Sequence, residues 1–139
     1  AGIGGSLGAQ HGWAYKAHMR RLISFSLSGT ASLPKAAPRE IAQPIQAPHF
    51  QIDRELAARG KVPYARVCAF CHGSGAVAAG FAPDLRASAV VPSDISFTDV
   101  VRGGSRRNVG MPSFSELSDE ELKALQHYLR SQAVGESLP

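Results

Sequence analysis

The chain has 139 residues, a mass of 14.7 kDa and 44% hydrophobic residues, which suits one ordinary domain with some length to spare. It contains no run of about 18 apolar residues that could span a bilayer as a helix, and its opening residues lack a signal-peptide layout, so export is expected to have used a segment since removed or part of a longer precursor. The formal charge of +4 does not point to nucleic acid: before residue 51 five basic residues (Lys16, Arg20, Arg21, Lys35, Arg39) face Glu40 alone, after it ten basic and ten acidic side chains cancel, and no basic stripe is interleaved with aromatics.

Residues 1–33 do not read as a domain. Ala1 to Gly12 holds five glycines and little that packs. From Arg21 to Gly29 the chain alternates, with Ile23, Phe25 and Leu27 on one side and serines on the other, the period of a half-buried strand. A single strand leaves an apolar face and two hydrogen-bonding edges unsatisfied, so this one is expected to complete a sheet that lies elsewhere. Residues 34–51 form a linker, in which Pro34, Pro38, Pro44 and Pro48 favour an extended path joining two bodies.

Helical patterning begins after Ile52. Asp53 suits an N-cap for Arg54 to Arg59, and Leu56 and Gly60 lie four apart on one face. Pro63 predicts a break or kink before Tyr64. The sequence then reads Cys68-Ala69-Phe70-Cys71-His72, and these are the only two cysteines in the chain. Two thiols three apart with a histidine behind the second form the attachment signature of a c-type haem: each sulfur adds to one vinyl group, and His72 supplies a nitrogen to the iron. A redox-active pair or half of a zinc site would use the same cysteine spacing. The redox pair has no need of the histidine, and the zinc site lacks a second pair of cysteines.

Beyond Gly73 the glycines and Pro83 predict loop. Ser96 or Thr98 opens a short helix through Val101, closed by Gly103-Gly104. Residues 105–115 are loop again and carry Gly110-Met111-Pro112. The terminal helix is the clearest element: Ser118 and Glu121 form a capping box, Leu117 and Leu122 a hydrophobic staple, Leu122, Leu125 and Leu129 an apolar face, and Gly135 the stop. An electron-transfer haem needs a second axial ligand. Of the two methionines, Met111 sits in a stiff loop, whereas Met19 lies in the arm and reads as packing. His127 is the rival ligand, but it lies on the terminal helix among Gln126 and Arg130 and reads as a solvent-facing residue. Arg86, Arg106 and Arg107 are surface cations, with Arg86 a candidate partner for a haem propionate.

Residues 52–134 resemble the class I cytochrome c family through Gly60 and Tyr64, the Cys68–His72 motif, Pro83-Asp84-Leu85, Gly110-Met111-Pro112, and Leu125 with Tyr128. The resemblance implies an all-α domain over 52–139 in which Gly60 lets the first helix cross closely against Tyr128. It also implies haem c on Cys68 and Cys71, axial ligation by His72 and Met111, and a Pro83 carbonyl that accepts the Nδ1 proton of His72. Pro63 departs from that pattern. A narrower resemblance covers residues 20–34, which look like the last propeller strand of quinohaemoprotein alcohol dehydrogenases, followed there by a proline-rich linker and a C-terminal cytochrome domain. Ala1 to Leu7 would belong to the same closing region. This implies an electron-transfer module of a periplasmic oxidoreductase. Its pyrroloquinoline quinone (PQQ), calcium and catalytic residues would belong to a propeller outside this chain, and its electrons would pass to a soluble cytochrome or copper protein. The alternative is a freestanding, diffusible periplasmic cytochrome c.

Overall fold

The computed structural model describes residues 22–35, 42–77 and 82–135. The closing region at Ala1 to Leu7, Met19 and the basic pair Arg20-Arg21 lie outside them. The described residues are helical and carry no strand. Leu22 to Ser26 is coil with a turn behind it, where Gly29 N–H donates to the Ser26 carbonyl at 3.2 Å. Leu22, Phe25 and Leu27 project almost wholly into solvent. The alternation is present but no neighbouring strand is, so the ladder bonds that would make it a strand are not formed.

Helix α1 (Arg54–Pro63) starts where the Asp53 carboxylate accepts from the Glu55 and Leu56 amides at 2.9 and 3.0 Å. The α register ends at Pro63, where the sequence predicts a break or kink, but the chain stays helical. It continues through a π-helical segment (Tyr64–Cys68), in which the Ala69 N–H reaches back five residues to the Tyr64 carbonyl, and into helix α2 (Ala69–His72). Proline has no N–H to give the preceding turn. Widening the ladder directly after it keeps the chain helical, and π segments of this kind gather at functional sites.

Helix α3 (Asp94–Thr98) begins earlier than the sequence predicts. Its cap is Ser93, whose hydroxyl accepts from the Ser96 amide at 3.3 Å, and it runs on as a π segment (Asp99–Gly103) to Gly104. The last helix, α4 (Asp119–Val134), follows its predicted signals. Ser118 and Glu121 make the reciprocal capping box, and Gly135 closes the helix at φ 72°, a left-handed conformation that suits a residue without Cβ.

The core forms where α1 crosses α4. Tyr64, Leu117, Leu122, Leu125, Tyr128 and Leu129 are buried there together, and the Tyr64 and Tyr128 rings lie 4.9 Å apart. Each fully buried leucine contributes roughly 1.5–3 kcal/mol of transfer free energy. Gly60 makes the crossing possible: a Cβ on it would overlap the Ala124 carbonyl oxygen and lie 2.8 Å from Tyr128 Cβ.

α4 is buried on more than its leucine face. His127 is 8% exposed, so the solvent-facing reading is incorrect. Its Nδ1 accepts the Asp53 backbone N–H at 3.0 Å, and its ring lies 5.0 Å from that of Phe50. Gln126 Nε2 donates to the Val91 carbonyl (2.8 Å) and to Asp94 (2.9 Å), while Arg130, 2% exposed, donates to the Ile45 carbonyl (2.9 Å). Residues 42–53 therefore lie along α4 as a strap, with Ala47 buried against the body.

Two outcomes follow from this packing. Gly60→Ala should lower holoprotein stability by about 1–3 kcal/mol or more in urea titration, the usual cost of overpacking; an unchanged midpoint would contradict the close crossing. Burial, only partly offset by the Asp53 and Asp94 carboxylates, holds the His127 pKa below the ordinary histidine value of 6.5. The unfolded chain therefore binds the extra proton first, and stability should fall as pH drops below the ordinary histidine range, until His127 also titrates in the folded state. His127→Gln should flatten that part of the stability–pH curve.

Candidate haem-binding site

The site grows out of the α1–α4 crossing. Tyr64, at the end of α1, is buried and donates its O–H to the Gly73 carbonyl at 2.5 Å, tying the start of the π segment to the residue after His72. Between those anchors the chain presents Cys68, Cys71 and His72. Both cysteines are free thiols of intermediate exposure, and His72 is 7% exposed.

His72 is fixed by one hydrogen bond. A carbonyl can only accept, so Nδ1 carries the proton and donates to Pro83 at 2.9 Å. Nε2 is then the unprotonated nitrogen, the form that binds a metal. Burial lowers the pKa of the ring, opposed in part by the Pro83 bond and the Asp84 carboxylate, which favours the neutral ligand form. Burial, with Cys71 adding to it, pushes the Cys68 thiol up to about 12. A redox-active pair works through a thiol of depressed pKa, and burial acts on Cys68 in the opposite direction.

Met111 sits on a tight turn. Its N–H donates to the Arg106 carbonyl at 3.2 Å, and Gly110 before it has φ 94°, which a side chain would resist. Met111 is half-buried and packs against the same core as Val67, Cys68, Leu85, Val90 and Phe114, all partly buried. The chain thus presents two thiols, an imidazole with a fixed tautomer and a thioether, along with an incompletely covered apolar lining. That donor set fits a covalently attached haem with nitrogen and sulfur on the iron. Among the described residues no group of three or more His, Cys, Asp or Glu side chains converges as a protein-only metal site would require.

Arg86 is engaged close by. Its Nε and Nη2 donate to Asp84 Oδ1 (3.0 Å) and Oδ2 (2.8 Å), a bidentate pair on the loop that supplies the Pro83 carbonyl. The expectation of a propionate partner thus meets a guanidinium already held by a carboxylate two residues away. Arg106 and Arg107 are exposed. The role of Asp84 was missed in the sequence; its spacing from Arg86 was the available signal.

Comparison with known proteins gives the chain's family and relatives. Residues 55–129 match the family model described as cytochrome c oxidase, cbb3-type, subunit III. The chain is 35% identical over 118 residues to quinohemoprotein alcohol dehydrogenase ADH IIB of Pseudomonas putida, covering 81% of this chain and 16% of that protein. It is 31% identical over 131 residues to the dehydrogenase subunit of the quinone alcohol dehydrogenase of Komagataeibacter europaeus, covering 93% of this chain and 17% of the relative. A solved structure of quinohemoprotein alcohol dehydrogenase ADHIIG from P. putida HK5 superposes with a TM-score of 0.56 at 31% identity, over 78% of this chain and 15% of that one. The chain spans about a sixth of the length of the curated relatives it matches.

Tyr64→Phe should cost about 1–3 kcal/mol in chemical denaturation, because it leaves the buried Gly73 carbonyl without its donor. An unaltered midpoint would mean that water replaces the phenol freely.

Proposed function

The chain belongs to the cytochrome c family, of the class described by the cbb3-type oxidase subunit III model, and from that premise we propose that Cys68 and Cys71 hold one haem c by two thioethers with His72 and Met111 on its iron. Cytochrome c domains transfer electrons. The bound haem supplies a one-electron couple at ferric and ferrous iron; the remaining work falls to the side chains of this chain. The Pro83 carbonyl orients His72 and makes it a stronger donor. A thioether ligand from Met111 would favour ferrous iron and raise its potential. Val67, Leu85, Val90 and Phe114 exclude water from the iron's surroundings. The observation that carries the reading is the bond from His72 Nδ1 to the Pro83 carbonyl, directly beside the paired cysteines.

The wider role follows from the relatives. In this reading the chain is a cytochrome portion of a PQQ-dependent alcohol dehydrogenase located in the periplasm. It receives electrons one at a time from reduced quinone in a propeller-bearing region and passes them to a soluble carrier. Support comes from the long matches to quinohemoprotein enzymes of which this chain covers only a sixth, and from the exposed apolar residues at 22–33, which lack a partner among the described residues. Residues 1–33 would then close a propeller sheet, 34–51 would connect it to the cytochrome domain, and 52–139 would form that domain. Among the described residues no helix is long and apolar enough to cross a membrane.

Met111→Ala should lower the reduction potential and open the iron to carbon monoxide; an unchanged visible spectrum would exclude Met111 as the ligand. Addition of an alcohol should reduce the haem only when the quinone-binding region is present. Full-rate reduction by alcohol in its absence would contradict the proposed relay.

A further inference from the structure

Arg130 is an anomaly on α4. A guanidinium 2% exposed to solvent has lost most of its hydration, which is unfavourable unless its surroundings replace the water. No carboxylate pairs with it among the described residues: Nη1 donates to the Ile45 carbonyl at 2.9 Å, and Nε has no protein partner. The group it holds belongs to the strap. The same residue, Ile45, uses its N–H to donate to the Arg86 carbonyl at 2.9 Å. Ile45 is thus fastened on one side to the last helix and on the other to the loop containing Pro83.

That loop is tied from within as well. The Asp84 carboxylate accepts from the Arg86 backbone N–H at 3.0 Å and from its guanidinium at 3.0 and 2.8 Å, which makes residues 84–86 a stiff unit. Pro83 lies immediately before it and carries the oxygen that holds His72 Nδ1. A continuous path of hydrogen bonds and short backbone links therefore runs from Arg130 through Ile45, Arg86 and Asp84 to Pro83 and His72.

We propose that Arg130 and the Ile45 N–H are positioning residues for the axial histidine, so that the state of the strap sets the haem reduction potential. The inference rests on ligation of the iron by His72. The strength of Nδ1–H···O depends steeply on distance and angle, and that bond raises the basicity of the coordinating nitrogen. With the strap seated, the Pro83 oxygen stays at hydrogen-bonding distance and the imidazole donates more strongly, which favours ferric iron. With the strap released, the loop relaxes, the imidazole donates less, and the potential rises.

The test is equilibrium potentiometry on the haem-loaded full chain, with amide exchange at Ile45 as a readout independent of the haem. Arg130→Met removes the donor at similar length, Arg130→Lys restores a cation, and Ile45→Pro deletes the N–H that reaches Arg86 while leaving Arg130 in place. Gln126→Leu is the control: it breaks an equally buried anchor on α4 that holds Val91 and Asp94 instead. The expected result is a potential raised by both Arg130→Met and Ile45→Pro and partly restored by Arg130→Lys, with faster exchange at Ile45 in Arg130→Met and no shift in Gln126→Leu. Should Arg130→Met not fold, Ile45→Pro decides alone. Unchanged potentials in variants whose parent shows a normal histidine-ligated spectrum overturn the proposal, as does an equal shift in Gln126→Leu. A parent that lacks covalent haem or histidine ligation overturns the ligand reading instead.

Discussion

The structure depends on the close approach of α1 to α4 at Gly60. With no side chain there, the backbone of α1 can lie against Ala124 and the Tyr128 Cβ, and the aromatic pair Tyr64–Tyr128 closes the crossing from the side. Everything at the site is measured from that contact. Tyr64 ends α1, opens the π segment and bonds to Gly73, so the stretch carrying Cys68, Cys71 and His72 is held at both ends by one buried phenol. A bulkier residue at position 60 would separate the helices, and the cysteines and histidine would move with them.

A second layer of order comes from polar groups on α4 that hold segments distant in sequence. Gln126, His127 and Arg130 are all buried, and each binds backbone outside the helix: Val91, Asp53 and Ile45 respectively. Such groups are costly to bury unless their hydrogen bonds are made. They specify where the strap and the loop before α3 must lie, which leucine packing alone would leave open. The helix that builds the core thus also locates the strap and the loop before α3.

What could be read from the sequence was mostly what is locally determined. The Ser118–Glu121 box, the Asp53 cap and the Gly135 stop act within a few residues, and all three form as expected. The spacing of Cys68, Cys71 and His72 is equally local, and it is the signal on which the proposed haem attachment rests. Periodicity misled where tertiary contacts decide. His127 is polar and lies beside Gln126 on an amphipathic helix, so it reads as exposed; its partner, the Asp53 amide, is 74 residues away. The alternation of Ile23, Phe25 and Leu27 is a different case: the described residues offer no edge for it to pair with, so the strand stays with the proposed propeller sheet. Pro63 predicts a break or kink before Tyr64, and the α register does end there; the π register that carries the chain on leaves no mark in composition.

The central claim is that Cys68, Cys71 and His72 carry a covalent haem. The most direct measurement is intact mass and peptide mapping of the chain expressed with haem-attachment machinery, read together with its visible spectrum. The account predicts a mass increase of one haem, localised to the peptide containing Cys68 and Cys71, abolished by replacing both cysteines with alanine, and a spectrum of low-spin, histidine-ligated iron. A colourless protein with two titratable free thiols under those conditions would contradict it.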